Sequence, residues 1–167
     1  ALALQPSLLI ADEPVTALDV IVQHQVLEVF KRLETELNLT VLLITHDISV
    51  VAQVCDSVAV MYAGQIVEQA ATAQLFAGPL HPYTRGLMTS VPRLDQVRRR
   101  LQIIPGMVPD ARQFPPGCRF APRCPLADAR CRAAQPGLER LVDGRQVACW
   151  HAGVGPAGEP VAGAAGD

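Results

Sequence analysis

Apolar positions in the first half of the chain come in short unbroken runs that end abruptly in charge. Leu8-Leu9-Ile10-Ala11 stops at Asp12-Glu13-Pro14, and residues 40–45 read TVLLIT before His46-Asp47. Runs of this length predict short strands, the first buried on both faces and the second rich in β-branched residues. Between them Val22, Val26, Val29, Leu33 and Leu37 recur at helical spacing behind Asp19. That pattern predicts a long core-packed helix with Asp19 as its cap. Asp47 stands before Ile48, Val50, Val51 and Val54 and should cap a short helix. Ser57 to Tyr62 and Gln65 to Glu68 flank Ala63-Gly64 and predict a hairpin, and Ala73 to Phe76 predict a short helix ending at Gly78-Pro79.

The expected fold class is therefore α/β, and in open sheets of this class ligands bind at the carboxyl ends of the strands. Both apolar runs deliver polar groups to that end. Phosphoryl hydrolysis needs one carboxylate to hold Mg²⁺, usually through water, and a second to orient and polarise the attacking water. Asp12 and Glu13, adjacent on a strand, point to opposite faces and can divide these tasks. A lone Asp-Glu-Pro is equally consistent with a solvated acidic turn; His46 at the end of a second strand weighs against that. An imidazole there can donate to a phosphate oxygen and sense the terminal phosphate, whereas Asp47 is assigned to capping.

The order and spacing of LLIADEP, TALD and ITHD closely resemble the second half of an ABC-transporter ATP-binding subunit, over about residues 1–80. The resemblance implies that Asp12 matches the Walker B aspartate, Glu13 the catalytic glutamate, Ala17 to Asp19 the D-loop and His46 the switch histidine. Val15 stands where the family often has a small hydroxyl residue, a departure that touches no catalytic position. ATP and Mg²⁺ are the implied cofactors. A phosphate-cradling loop needs glycines and a lysine. Here no glycine precedes Gly64, the only lysine is Lys31, and there is no LSGGQ-like signature loop. The expectation is a carboxyl-terminal fragment of a P-loop ATPase that neither binds nor hydrolyses ATP appreciably alone.

Composition, at 50% hydrophobic and 18% charged, fits a folded chain, and no apolar stretch reaches the length of a membrane-spanning helix or carries a basic leader. Cytoplasmic residence is the expectation. The net charge of −2 is unevenly distributed, because twelve of the fourteen basic residues follow residue 80. Arg98-Arg99-Arg100 is the one tight basic cluster, and it has no neighbouring aromatic for base stacking, so nucleic acid is not an expected partner.

Nine of the fourteen prolines fall between Pro79 and Pro125, which predicts turns and extended connections wrapped on a core. Within this stretch His81-Pro82-Tyr83-Thr84-Arg85-Gly86-Leu87 followed by Ser90-Val91-Pro92 resembles the extension of the oligopeptide and dipeptide branch of ABC importers. Read from the residues alone, it is a helix-entry motif with Tyr83 on the core and no catalytic role. The expected organisation is the carboxyl half of an ATPase core at 1–80, the importer extension with its cysteines at 81–150, and a disordered Gly/Ala/Pro tail at 151–167.

Cys118, Cys124, Cys131 and Cys149 lie within 32 residues, separated by five, six and seventeen others. In a reducing compartment such clustering points to metal rather than disulfides, and a segment with few large apolar residues needs a staple. Zinc sites usually contain a tighter Cys-x₂₋₄-Cys pair, while iron–sulfur clusters accept wider spacing. Spacing favours iron–sulfur, with zinc and unmetallated or oxidised thiols as alternatives. Resemblance leans the same way, because some ATPases of this branch carry a four-iron four-sulfur cluster on a similar GCRF...RCP...C...C segment. Arg119, Arg123, Arg130 and Arg132 are expected to offset the thiolates, and Cys55 to be a small buried hydrophobe.

The resulting expectation is part of an ATP-hydrolysing subunit of a peptide importer. It is peripheral on the inner face of the membrane, paired with a second ATP-binding subunit, and coupled to integral membrane permease subunits. A stand-alone iron–sulfur or zinc interaction module and a non-transport ABC ATPase acting on nucleic acid are the alternatives.

Overall fold

The computed structural model of the chain describes residues 2–90, 104–155 and 158–159, which form a mixed arrangement of helices and strands. Packing divides the chain into Ala1–Cys55 and Asp56–Asp167. Val91, Pro92 and the Arg98 to Arg100 cluster lie outside the described residues. Among the described residues no helix is long and apolar enough to cross a membrane.

In the first unit β1 (Leu8–Asp12) pairs in parallel with β2 (Thr40–Ile44), in register from Leu8 opposite Thr40 to Asp12 opposite Ile44. The connection is α1 (Val20–Leu37). Asp19 caps it as its sequence position predicts, Oδ1 accepting from the amides of Ile21 and Val22 at 3.0 Å each. It ends at Asn38, whose left-handed backbone (φ 48°) is one that asparagine tolerates at a helix terminus. Asp47 caps α2 (Ile48–Val54) by accepting from the Ser49 amide. The core is Val15, Leu27 and Val50, flanked by Val26, Phe30, Leu43 and Val54. Full burial of Leu27 or Val50 stabilises by about 1.5–3 kcal/mol each.

Two expectations change here. The buried stripe of α1 runs through Val26, Leu27, Phe30 and Leu33, while Val22, Val29 and Leu37 are exposed. Leu27 and Phe30 extend the apolar surface one position round the helix, and the packed phase follows them. Nor is β1 buried on both faces. Ala11 and Leu9 are on the covered side; Leu8, Ile10, Leu42 and Ile44 make an exposed apolar face with no covering layer among the described residues.

The second unit is built on β3 (Ser57–Tyr62) and β4 (Gln65–Ala71), the predicted hairpin. Its turn residues Ala63 and Gly64 both have positive φ (48° and 78°), as a type I′ turn requires. Near the carboxyl end, β5 (Glu139–Arg140) pairs with β6 (Gln146–Val147), which pairs with β4, giving the order β3-β4-β6-β5. The hairpin thus packs with the Cys-rich segment, although the division implied by the family resemblance falls at 80/81. Two helices follow β4: α3 (Thr72–Ala77), as predicted, and α4 (Pro82–Ser90), so the proline-rich region begins with regular structure. Pro82 suits a first helical position, where no amide donor is needed.

Val60, Tyr62, Val67, Ala70, Leu75 and Phe120 form the core, with Tyr83, Leu87, Met88, Cys118 and Cys124 packed against it. Tyr83 joins the core as expected: its ring lies 4.6 Å from Tyr62 and 5.6 Å from Phe120. His81 is also buried, its Nδ1 accepting from the Tyr83 amide at 3.0 Å. Burial pushes its pKa down to about 3, so it is a neutral capping group. In the expected tail the Gly153 amide donates to Leu80 O at 3.1 Å; 156, 157 and 160–167 are outside the described residues.

Entry into α4 hangs on Glu68, a fully buried β4 residue whose two carboxylate oxygens accept from the amides of Leu80 (2.7 Å) and His81 (2.9 Å). Glu68→Ala leaves both donors buried without this partner and is expected to cost about 3 kcal/mol or more. Urea unfolding of the chain checks this. A loss of only a few tenths would show that the α4 junction does not depend on Glu68.

Candidate functional site

Parallel pairing in register places the carboxyl ends of β1 and β2 side by side. The ladder continues one step past β1, where the Glu13 amide donates to Ile44 O at 2.8 Å. Glu13 then turns into the left-handed region (φ 48°), and Ala17 does the same (φ 63°). A non-glycine residue held there is uncommon, and such positions concentrate where a side chain has been aimed for a task. Short backbone bonds from Thr16 to Glu13 O and from Leu18 to Val15 O fold Pro14 to Leu18 into a tight turn that leads to Asp19.

The turn directs the Glu13 carboxylate at His46, 33 residues away in sequence: Nδ1 of His46 lies 2.8 Å from Oε1. The other oxygen, Oε2, accepts from the Thr16 hydroxyl at 2.8 Å. Glu13 is thereby held on both oxygens. The hydrogen bonds from His46 and then Thr16 keep its carboxyl below the usual range, while Glu13 raises the His46 imidazole. Both groups remain open to solvent, with 80% of the His46 side chain exposed. A shallow depression of about 180 Å³ lies over Glu13, Thr16, Ala17, Gln23, His46 and Asp47.

Of the residues singled out in the sequence, Glu13 and His46 are thus brought together. Asp12 is exposed at the last position of β1. Asp19 and Asp47 both have carboxylates bonded to helix amides, so capping accounts for their local geometry. Thr16 is the residue that sequence reading passed over. Its signal is the i, i+3 spacing from Glu13 across a proline turn.

In the second unit the four clustered cysteines are all reduced. They are near enough that each of Cys118, Cys124 and Cys131 adds to the upward shift of the Cys149 thiol, which burial first and foremost pushes up to about 12. Burial likewise raises Cys124 and Cys131. Cys118 is tied to Cys131 by a 2.8 Å backbone hydrogen bond, which Gly117 permits. A Cβ at Gly117 would stand 2.3 Å from Cys131 O. Cys131 lies in α5 (Ala129–Ala133), and the His151 amide donates to Cys149 Sγ at 3.3 Å.

The arginines expected to balance these thiols are engaged elsewhere. Arg119 donates to Ala63 O and lies over the Phe114 ring, and Arg123 donates to the carbonyls of Ile104 and Pro105. Arg130 stacks 3.5 Å from the Trp150 ring centre, and Arg132 donates to the carbonyls of Ala127 and Asp128. Guanidinium forks match carbonyl clusters and aromatic faces well, and loop backbone supplies both here. Cys55, at the end of α2, is only half-buried.

Residues 67–131 match the family described as oligopeptide/dipeptide transporter, C-terminal region. The chain is 53% identical over 150 residues to the oligopeptide transport ATP-binding protein AppD of Bacillus subtilis, covering 90% of this chain and 46% of that protein. It is 46% identical over 160 residues to the dipeptide transport ATP-binding protein DppD of Escherichia coli, covering 96% and 49%. A probable peptide ABC transporter ATP-binding protein of Sinorhizobium fredii is 52% identical over 152 residues, covering 90% and 45%. The chain spans about half the length of the curated relatives it matches.

The Glu13–His46 pair sets a pH window. The raised His46 contributes fully below its ordinary 6.5 and loses its contribution as pH rises through its raised value. The lowered Glu13 contributes fully above its ordinary 4.5 and loses it as pH falls through its lowered value. An NMR titration of His46 in the chain should therefore give a pKa above 6.5 that returns toward 6.5 in Glu13→Gln. An identical titration in both proteins would show that the pair does not form in solution.

Proposed function

The chain belongs to the oligopeptide and dipeptide transport ATP-binding proteins over the half of their length that it spans, and on that premise we propose that it carries the hydrolytic half of an ATP-binding subunit of a peptide importer. The observation that carries this reading is the 2.8 Å pairing of Glu13 with His46 at neighbouring strand ends, with Asp12 one residue away. Hard carboxylate oxygens exposed at a strand terminus suit Mg²⁺, which keeps several waters and takes one or two carboxylates.

When bound, ATP and Mg²⁺ supply the phosphoryl group and most of the charge neutralisation. Asp12 would hold the ion through water. Glu13 orients the attacking water and accepts its proton. His46 and Thr16 keep the Glu13 carboxylate aimed and ionised until water is in place, and His46 can turn a ring N–H toward the terminal phosphate. Asp19 stiffens the D-loop by capping α1, and in this reading that loop faces a second ATP-binding subunit. Phosphate-cradling and signature loops would come from sequence outside this chain, which alone should not hydrolyse ATP appreciably. The uncovered apolar face of β1 and β2 supports this, because a strand pair with Leu8, Ile10, Leu42 and Ile44 exposed calls for a further layer. Membrane permease subunits complete the importer, and the subunit would sit on the cytoplasmic face.

The second unit in this reading holds a four-iron four-sulfur cluster on Cys118, Cys124, Cys131 and Cys149, with zinc as the alternative. The thiols of Cys124, Cys131 and Cys149, raised first by burial and then by their neighbours, fit a cationic centre, since thiolate formation there needs a compensating charge. A cluster would supply charge compensation and a covalent staple.

In the subunit with its upstream half restored, Glu13→Gln should lower ATPase activity roughly 10²- to 10⁴-fold. An unchanged rate would overturn the assignment of Glu13. Anaerobic purification should yield about four irons and four acid-labile sulfides per chain with a visible absorption band, the stoichiometry of a cluster on four cysteines. Stoichiometric zinc without sulfide would replace the cluster by a structural ion.

A further inference from the structure

Beside the four thiols lie Asp128 and His151, to which neither reading gives a role and which form a second donor set with Cys131. Asp128 opens α5 as its cap, Oδ1 accepting from the Cys131 amide at 2.8 Å, so a carboxylate and a thiol share one helical turn. His151 reaches them from just past Cys149, its Nε2 3.1 Å from Asp128 Oδ2. One carboxylate oxygen, the Cys131 sulfur and one imidazole nitrogen all lie within 4.8 Å of one another. We propose that Asp128, Cys131 and His151 form a mixed oxygen, sulfur and nitrogen site for a single zinc-class divalent cation, occupied when the four-thiol centre is not assembled. It shares only Cys131 with the cluster reading, and the two occupancies are mutually exclusive.

Donor chemistry selects the ion. Magnesium and calcium take oxygen ligands, and an iron–sulfur cube takes thiolates. A thiolate with an imidazole and a carboxylate suits zinc or cobalt. Tetrahedral bonds of about 2.0–2.3 Å separate donors by about 3.3–3.8 Å, so closure needs about 1 Å of side-chain movement. Access is one-sided: 47% of the Asp128 side chain and 29% of the His151 side chain are exposed, whereas Cys131 is buried. Three protein donors then leave a fourth position for water on the solvent side.

Orientation is already in place. The Cys131 amide holds Asp128 Oδ1, leaving Oδ2 to the ion, and the His151 backbone is fixed by its bond to Cys149 Sγ and by the Val154 amide donating to His151 O at 3.2 Å. Outer contacts of this kind orient metal ligands. Neither arginine of α5 competes for the donors: Arg132 donates to main-chain carbonyls, and Arg130 lies on Trp150. Binding at Nε2 takes the neutral His151 tautomer with its proton on Nδ1, and the Cys131 thiol proton passes to solvent.

The test is a Co²⁺ titration of the full chain, stripped with chelator and kept reduced under nitrogen, read by the near-ultraviolet sulfur-to-cobalt band and followed by Zn²⁺ displacement. One cobalt per chain is expected. Cys131→Ser should abolish the band, and His151→Ala and the near-isosteric Asp128→Asn should each weaken binding at least about tenfold. Cys118→Ser and Cys124→Ser should leave it in place. Absence of saturable binding, or binding lost in Cys118→Ser but unchanged in His151→Ala and Asp128→Asn, would overturn the site. Far-ultraviolet circular dichroism verifies that each variant is folded. Iron and sulfide reconstitution separates this inference from the cluster: a wild-type chain that takes up neither sinks the cluster reading alone, whatever cobalt does. Uptake retained in His151→Ala is the expected result, and uptake lost there would assign His151 to the four-thiol centre instead.

Discussion

Parallel pairing of β1 with β2 is the constraint on which the candidate hydrolytic site depends. A parallel ladder puts both carboxyl ends on the same side, and the extra bond from the Glu13 amide to Ile44 O fixes where β1 stops. A one-residue slip would invert every side chain of β1 and break the apposition of Glu13 and His46. The register is guarded by the core, since Ala11 and Leu43 face inward only in this alignment. Core packing therefore decides whether a carboxylate and an imidazole meet.

The second unit uses the opposite device. It buries a carboxylate to satisfy a backbone junction: two amides that no helix or sheet would otherwise accept from find Glu68. His81 then caps α4 from inside, and Tyr83 stacks on Tyr62 and Phe120. The motif that sequence resemblance marks as the importer extension is in physical terms a junction. Its charged and polar members belong to folding, which is why neither His81 nor Tyr83 is assigned chemistry.

Legibility in the sequence followed the range of the interactions. Caps by Asp19 and Asp47, the Ala63-Gly64 turn and the short α3 were readable because each depends on residues within four positions. The choice of α1 face was not, because the helix offers two overlapping apolar stripes and only the partner surface selects Leu27 over Val29. Exposure of β1 was misjudged for a related reason: an apolar run states what a strand could bury, not which layers are present to cover it. Glu13 and His46 could be paired from their positions at strand ends, whereas Thr16 became visible only when the turn brought its hydroxyl to Oε2. Glu68 left no trace at all, being one more charged residue in a half-polar strand.

The four arginines that flank the thiols in sequence are held by other groups, and this bears on what surrounds the cysteines. Four guanidinium groups flank the thiols in sequence, yet they meet the carbonyls of Ala63, Ile104, Pro105, Ala127 and Asp128 and the rings of Phe114 and Trp150. An arginine fork satisfies several such groups at once, so backbone outcompetes thiol for the donors. Cys124, Cys131 and Cys149 are then left in a partly buried space in which burial first, and the neighbouring thiols after it, push each of them up. Protonated, they are a modest apolar patch beside Phe120 and Tyr83. Ionised, they would repel one another, and it is Arg85 on α4 whose charge lowers the Cys124 thiol. The same division of labour leaves Asp128 and His151 facing Cys131, with α5's two arginines bound to carbonyls and to an indole ring. The guanidinium groups of Arg119, Arg123, Arg130 and Arg132 are thus used to build the frame around the thiols.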